Sequence, residues 1–118
     1  MQRETLSGRE LEAAVLTRAA MMLRACQDSW QGSDSDNRLS DALKYNQMVW
    51  SIFQAELMSP DNPLPPEIRQ NILNLSLFID KRTFDLMAYP APEKLTVIIN
   101  INLNLAAGLT STAAIATP

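Results

Sequence analysis

Residues 95–109, LTVIININLNLAAGL, decide the fold class of this chain. The stretch from Ile99 to Leu105 alternates apolar and polar residues, which is typical of a half-buried β-strand. A helix is the other interpretation, and it places one asparagine in an apolar stripe made of Leu95, Ile98, Ile99, Asn102, Leu105, Ala106 and Leu109. A lone strand needs a partner strand for its backbone amides, and no other segment offers one. We therefore predict a helix over residues 95–109.

Three further helices are predicted upstream, and with the last one they indicate an all-α, small four-helix bundle-like domain. Their ranges are residues 7–30, 36–58 and 66–87. The first begins with a capping box in which Ser7 and Glu10 satisfy each other's free amides. Ser35 or Asp36 is expected to cap the second. That second helix carries an apolar seam at spacings of three and four residues, formed by Leu39, Leu43, Asn46, Trp50, Phe53 and Leu57.

A proline-rich loop, SPDNPLPP over residues 59–66, separates the second and third helices. Its prolines end one helix and place a proline at the first turn of the next. A rigid connector does not explain the leucine between them, so we expect Leu64 to dock into the core and Asn62 to cap the loop. The sequence thus predicts a single helical domain over residues 1–109. A disordered tail is predicted over residues 110–118, which are small and polar.

The composition excludes several catalytic and metal-binding classes. The chain has 118 residues, no histidine, one cysteine and three glycines. Histidine-dependent nucleophiles, zinc cages and glycine-rich phosphate loops therefore cannot be built. The acidic pairs Asp34 with Asp36 and Asp80 with Asp85 are explained by helix capping and by ion pairing. We expect no catalytic residue, no metal site and no cofactor, and hence no enzyme.

The charge balance indicates the class of partner. Ten basic and thirteen acidic residues give a net charge of −3, which provides no positive field for a nucleic acid. The N-terminus lacks an export signal, and no apolar run reaches the ~18 residues of a membrane span. With a single cysteine, these features predict a cytoplasmic protein without membrane contact.

Candidate binding residues lie on the second predicted helix. Asn46 interrupts its apolar seam, and two interpretations stay open: a buried amide that sets helix register, or a polar group on a binding face. Trp50 and Phe53 suit either the core or, with Val49, the floor of a groove for a partner helix. Among the asparagines at positions 100, 102 and 104, we expect one buried amide.

These residues make the stretch from 39 to 109 resemble the FlaF family of flagellar biosynthesis regulators from alphaproteobacteria. The family pattern has an asparagine shortly before a tryptophan, an NPLP loop with a nearby arginine, a basic-threonine step and a LIDIN-type segment ending in Gly-Leu. Here these places are taken by Asn46, Trp50, Asn62 to Pro65, Arg69, Arg82-Thr83, Ile99 to Asn102 and Gly108-Leu109. Asn100 and Leu103 depart from the family's usual aspartate and arginine, and residues 1–38 match only as a generic first helix.

The resemblance implies a regulator that promotes flagellin synthesis or secretion, acting with a companion regulator, FlbT, that restrains flagellin synthesis. Two mechanisms fit: a cytoplasmic export chaperone that binds flagellin, and an adaptor that acts with FlbT on translation of flagellin mRNA. Because the acidic charge disfavours direct RNA contact, we expect flagellin as the partner, with FlbT and self-association as further possibilities. The expected partner-binding residues are Asn46, Val49, Trp50, Phe53, Asn62, Leu64, Arg69, Asn100 and Asn102.

Overall fold

The computed structural model describes residues 8–32 and 34–116, and for residues 111–116 it describes the backbone alone. The regular structure of these residues is helical. It comprises α1 (Gly8–Asp28), α2 (Ser35–Met58), α3 (Pro66–Ala88), a short 3-10 turn (Pro92–Lys94) and α4 (Leu95–Ala116). The all-α prediction is confirmed. Within the described ranges, no helix combines the length and the apolar character that crossing a bilayer requires.

The strand-like stretch is helical in α4, as predicted. Its buried residues have helical spacing: Leu95, Ile98, Ile99, Asn102 and Ala106. Its exposed side also recurs every three or four positions, at Thr96, Asn100, Asn104 and Ala107. The intervening leucines and isoleucines are half-buried against the core. The alternation in sequence therefore reflects a wide apolar arc on a helix with a narrow exposed stripe.

α1 packs against both α4 and α2, and most extensively along α4. Small buried side chains meet at this contact, including Ala13 and Ala20 on α1 and Ala106 on α4. Because the distance between packed helices depends on the side chains at the contact, alanines let these two axes approach closely. The α1 and α4 pair therefore forms the most extensive helix contact among the described residues.

α3 packs against α2 on the outside of the bundle. It buries only Ser76, Ile79, Thr83 and Leu86. The Thr83 hydroxyl donates to the backbone oxygen of Ile79 at 2.7 Å, and the Ser76 hydroxyl is likewise satisfied within the helix. Large apolar side chains stay exposed on its outward side, which we call the α3 outer face: Leu77, Phe84 and Met87.

The proline-rich loop is closed by Asn62, as expected. Its Nδ2 donates to the backbone oxygen of Glu56 at 2.9 Å, and its Oδ1 accepts from the backbone N–H of Leu64 at 3.0 Å. One side chain thus satisfies a carbonyl at the end of α2 and an amide of the loop. Leu64 is half-buried, so it reaches only the edge of the core.

The start of α2 differs from the prediction by one residue. Its N-cap is Asp34, with φ 69° and ψ 13°, rather than Ser35 or Asp36. Aspartate tolerates this left-handed conformation better than most residues, and Oδ1 of Asp34 accepts a hydrogen bond from Nδ2 of Asn37 at 2.9 Å. The predicted capping box of α1 cannot be assessed, because Ser7 lies outside the described residues.

The end of α4 lies within the predicted tail. The helical backbone of α4 continues to Ala116, past the predicted start of the tail at residue 110, and the disorder of that tail stays a prediction. The Thr110 hydroxyl donates back to the carbonyls of Ala106 and Ala107 at 3.2 and 3.1 Å. Alanine, which has the highest helix propensity, recurs after that point. Residues 117 and 118 lie outside the described residues.

A hydrogen-bond network joins three helices in the centre of the core. Nε1 of Trp50 donates to Oδ1 of Asn102 at 3.0 Å, and Nδ2 of Asn102 donates to Oδ1 of Asn46 at 2.7 Å. The same Nδ2 lies 3.5 Å from the backbone oxygen of Leu16 on α1. All three side chains are fully buried, so of the two interpretations of Asn46 the structure shows the buried amide. Sliding α4 by one turn would leave these groups unpaired, so the network fixes its register.

We expect Asn102→Ala to destabilise the fold by about 3 kcal/mol, because the Trp50 indole N–H and Oδ1 of Asn46 would be left buried without partners. Nδ2 of Asn46 already lacks a partner, so the substitution would leave both polar atoms of this amide unpaired. Asn100→Ala is the matched control, since it makes the same change on the exposed side of α4 and should cost less than about 0.5 kcal/mol. Urea unfolding followed by circular dichroism measures both losses. Equal losses in the two variants would show that the network does not stabilise the core.

Candidate partner-binding groove

An apolar groove of about 180 Å³ runs between α1 and α2, and we call it the α1–α2 groove. It is lined by Leu11, Glu12, Val15, Tyr45, Met48, Val49, Ile52, Phe53 and Glu56. Val49 and Phe53 are buried and form the floor, whereas Leu11, Met48 and Ile52 form the rims with exposed fractions of 52–54%. Half-exposed apolar rims over an apolar floor suit the apolar face of a helix.

The floor of the groove contacts the core network, because Phe53 packs against Trp50. The ring of Phe53 meets the ring of Trp50 edge-on, with centroids 5.9 Å apart and an interplanar angle of 64°. Such edge-to-face pairs are favourable for aromatic rings. Because Trp50 is itself hydrogen-bonded to Asn102, the position of Phe53 is coupled to the packing of α4.

A pair of glutamates, Glu12 on α1 and Glu56 on α2, lies at one end of the groove, and we call it the glutamate pair. Partial burial raises the pKa of Glu12 from 4.5 to about 7, and a hydrogen bond to Glu56 and the charge of Glu56 act in the same direction. Arg9, one turn earlier on α1, acts in the opposite direction. Glu12 therefore keeps its proton close to neutral pH and shares it with Glu56.

At the other end of the groove, Arg18 lies beside the lining residue Tyr45 without itself lining the groove. The guanidinium carbon of Arg18 lies 5.6 Å from the ring centroid of Tyr45, in a cation–π contact between α1 and α2. Since Glu12 faces Glu56 and Arg18 faces Tyr45, the two helices run in opposite directions along the groove. The glutamate pair therefore lies at one end of the groove, and the guanidinium group of Arg18 lies next to the other end.

A second cavity, the loop pocket, adjoins the acidic end and has a volume of about 360 Å³. It is lined by Gly8, Arg9, Glu12, Glu56, Ser59, Asp61, Asn62, Pro63, Leu64 and Leu109. The glutamate pair lines both the groove and the loop pocket. The closed proline-rich loop thus borders a surface that is continuous with the groove.

The residues expected to bind a partner fall into separate places. Val49 and Phe53 line the groove, and Asn62 and Leu64 line the loop pocket. Three of them lie in the core and present no surface in this conformation: Asn46, Trp50 and Asn102.

Two further expected residues lie apart from the groove and the loop pocket. Asn100 is on the exposed side of α4. Arg69 is half-buried near the start of α3, and its Nε is buried without a hydrogen-bond partner. Neither residue lines the groove or the loop pocket.

Sequence reasoning missed Leu11, Glu12 and Glu56. The two glutamates carry a weak signal in the sequence, because Glu12 precedes Val15 by three positions and Glu56 follows Phe53 by three. A carboxyl group at helical spacing from an apolar stripe marks the border of that stripe. The pattern cannot show that the two borders meet, since that depends on how α1 and α2 pack.

The described residues offer no group of three or more His, Cys, Asp or Glu side chains that could hold a metal ion. Cys26 is buried in the core, and this burial raises the pKa of its thiol. A buried thiol with a raised pKa is a poor nucleophile. Cys26 therefore serves as a small apolar side chain of the core.

The fold and the groove define a small all-α protein with an apolar cleft between two helices. The sequence model of a family described as flagellar protein FlaF matches residues 1–109, so this chain belongs to the FlaF family of flagellar proteins. The resemblance seen from residue 39 onward is thereby confirmed and extends over α1. No curated protein and no solved structure matches the chain.

We expect the stability of the protein to depend on pH through Glu12. Its pKa is about 7 in the folded protein against an ordinary 4.5, so between these values the folded state binds more protons than the unfolded state. The free energy of unfolding therefore falls as the pH rises from 5 to 8. Glu12→Gln should reduce this fall and be more stable than the wild type at pH 8.

Thermal unfolding at pH 5, 6.5 and 8 measures this effect. Glu67→Gln, an exposed position in the first turn of α3, makes the same change away from the groove and should retain the wild-type profile. A wild-type pH profile in Glu12→Gln would contradict the assignment.

Proposed function

We propose that this flagellar protein promotes flagellin synthesis or secretion by binding flagellin in the cytoplasm as an export chaperone. Membership of the FlaF family supports a flagellar role. The observation that carries the proposal is the α1–α2 groove, whose rims leave Leu11, Met48 and Ile52 about half exposed. The proposed occupant is a helical terminal segment of flagellin with apolar residues at i, i+3, i+4 and i+7.

Energetics favour such an occupant. Each large apolar side chain that a partner buries contributes about 1.5–3 kcal/mol, and two or three anchors are needed to offset the cost of ordering the segment and losing its free motion. The groove offers Val49 and Phe53 as a floor for these anchors. Covering it would also remove three apolar rim residues of this chain from water. Because the main term is apolar burial, binding should survive added salt.

A second candidate function is a regulatory adaptor that acts with FlbT on translation of flagellin mRNA. The observation that favours it is the α3 outer face, where Leu77 and Phe84 are 58% and 66% exposed. This face is separate from the groove and offers apolar area for a companion protein. A net charge of −3 argues against this chain itself contacting the RNA.

Leu11→Asp and Leu77→Asp form a matched pair that separates the two functions. Both replace an exposed leucine, with exposed fractions of 54% and 58%, by an aspartate. If flagellin docks in the groove, Leu11→Asp should weaken its binding at least tenfold, because a carboxylate must lose water against apolar anchors. Leu77→Asp should bind flagellin as tightly as the wild type. Isothermal titration calorimetry with purified flagellin monomer at low and high salt measures these affinities.

If Leu77→Asp weakened flagellin binding and Leu11→Asp did not, the docking site would lie on α3. Loss of flagellin binding in Leu77→Asp alone contradicts the groove assignment. Absence of flagellin binding by the wild type, together with binding of purified FlbT that Leu77→Asp abolishes, would support the adaptor. Thermal unfolding of both variants confirms that they are folded, and both should unfold close to the wild-type temperature.

A further inference from the structure

The two ends of the α1–α2 groove carry opposite charge, and this arrangement limits what can bind there. At one end lies the glutamate pair. At the other lies Arg18, held over the ring of Tyr45. Glu12 and Arg18 are six positions apart on α1, which corresponds to about 9 Å at 1.5 Å per helical residue. At about 5.4 Å per turn, the length between these two charged groups corresponds to between one and two turns of a bound helix.

A helix is itself polar along its axis. Its N-terminus carries a partial positive charge and its C-terminus a partial negative charge. Lying in the groove with its N-terminus at Glu12 and Glu56, a helix opposes unlike charges at both ends. Lying the other way, it brings its negative end to two carboxyl groups and its positive end to Arg18. The first orientation is parallel to α1.

The acidic end has an excess of carboxyl groups. Glu12 from α1, Glu56 from α2 and Asp61 from the proline-rich loop line the loop pocket, and Arg9 is the basic residue lining it. α4 contributes the apolar Leu109 at this point. Three carboxyl groups against one guanidinium leave room for a further positive charge.

We propose that the groove takes an amphipathic helix of its partner in a single orientation, parallel to α1, with a Lys or Arg side chain near the helix N-terminus placed between Glu12 and Glu56. This inference rests on the proposed function and specifies the chemistry of the bound segment. The cation takes the place of the proton that the two carboxyl groups share in the free protein. Two carboxylates on one ammonium or guanidinium group form charge-assisted hydrogen bonds.

Binding is then linked to release of a proton. With a pKa of about 7, Glu12 is mostly protonated at pH 6 and mostly ionised at pH 8. At pH 6 the partner must displace the proton, and at pH 8 it need not. For one group with this pKa, the affinity should be roughly tenfold higher at pH 8 than at pH 6. The sign is opposite to that of the effect on stability, because the bound cation favours the ionised form that folding disfavours.

The test uses the full chain and purified flagellin monomer in isothermal titration calorimetry at pH 6 and pH 8. Titrations in two buffers of different ionisation enthalpy give the number of protons released. The variants are Glu12→Gln and Glu56→Gln, with Glu67→Gln on α3 as the control for an equal change of charge. Arg18→Gln tests the end at Tyr45, and Arg24→Gln, at an exposed position six residues further along α1, is its control.

We expect the wild type and Glu67→Gln to gain about tenfold in affinity from pH 6 to pH 8 and to release protons at pH 6. Glu12→Gln should lose both the pH dependence and the proton release. Glu56→Gln should weaken binding at pH 8 several-fold, and Arg18→Gln should weaken it more than Arg24→Gln.

The possible failures are distinct. If flagellin binds and Leu11→Asp abolishes binding, but Glu12→Gln and Glu56→Gln bind like the wild type at both pH values, the oriented cationic helix is wrong and the chaperone function stands. If Arg18→Gln and Arg24→Gln bind equally well, the orientation is wrong. If flagellin does not bind under any of these conditions, both the inference and the proposed function are wrong.

Discussion

The amide of Asn102 is the group on which the rest of the structure depends. It accepts from the indole of Trp50 and donates to the amide of Asn46, in a region where all three side chains are inaccessible to water. A buried amide is costly unless it is paired. These hydrogen bonds form in one relative placement of α2 and α4, and the contact with the Leu16 carbonyl brings α1 into the same register. The network thus selects one arrangement among the many that apolar packing alone would allow.

The surface follows from that arrangement. Trp50 supports Phe53 by an edge-to-face contact, and Phe53 with Val49 forms the floor of the α1–α2 groove. Fixing α1 against α2 also brings Glu12 to Glu56 and Arg18 to Tyr45. Two carboxyl groups in contact disfavour the folded state once both ionise. Such a locally unfavourable pair at the end of an apolar groove is typical of a surface that serves binding rather than stability.

α3 contributes little to this core. Two of the four residues that it buries are polar and are satisfied within the helix itself, so its attachment to α2 depends on few apolar contacts. Asn62 ties the preceding loop to the end of α2 and sets where α3 begins. The side of α3 that faces away from α2 keeps Leu77 and Phe84 in water. Among the described residues, the α1–α2 groove and the α3 outer face are thus apolar surfaces that lie apart from each other, and each suits one of the two proposed functions.

The sequence by itself determined the helices, because their signals are local. Proline positions, apolar spacing and the closing role of Asn62 all act within a few residues, and α2 and α3 consequently lie within one residue of their predicted ends. The helical state of α4 also followed from the sequence, since no partner strand exists for its alternating pattern. The cap of α2 was misplaced by one residue, because the left-handed conformation of Asp34 is not encoded by residue type alone.

Only the tertiary structure decided which apolar residues are core and which are surface. The second helix has apolar residues around most of its circumference, so its sequence suits Trp50 for either role, and contact with α4 places Trp50 inside while Ile52 stays exposed. The predicted helical stripe already contained Asn102, but only the packing of α4 against α2 brings its amide to the indole of Trp50. Glu12 and Glu56 are distant in sequence and meet because α1 and α2 run in opposite directions. Helix formation depends on neighbours along the chain, whereas the groove and its charges depend on which helix faces come together in space.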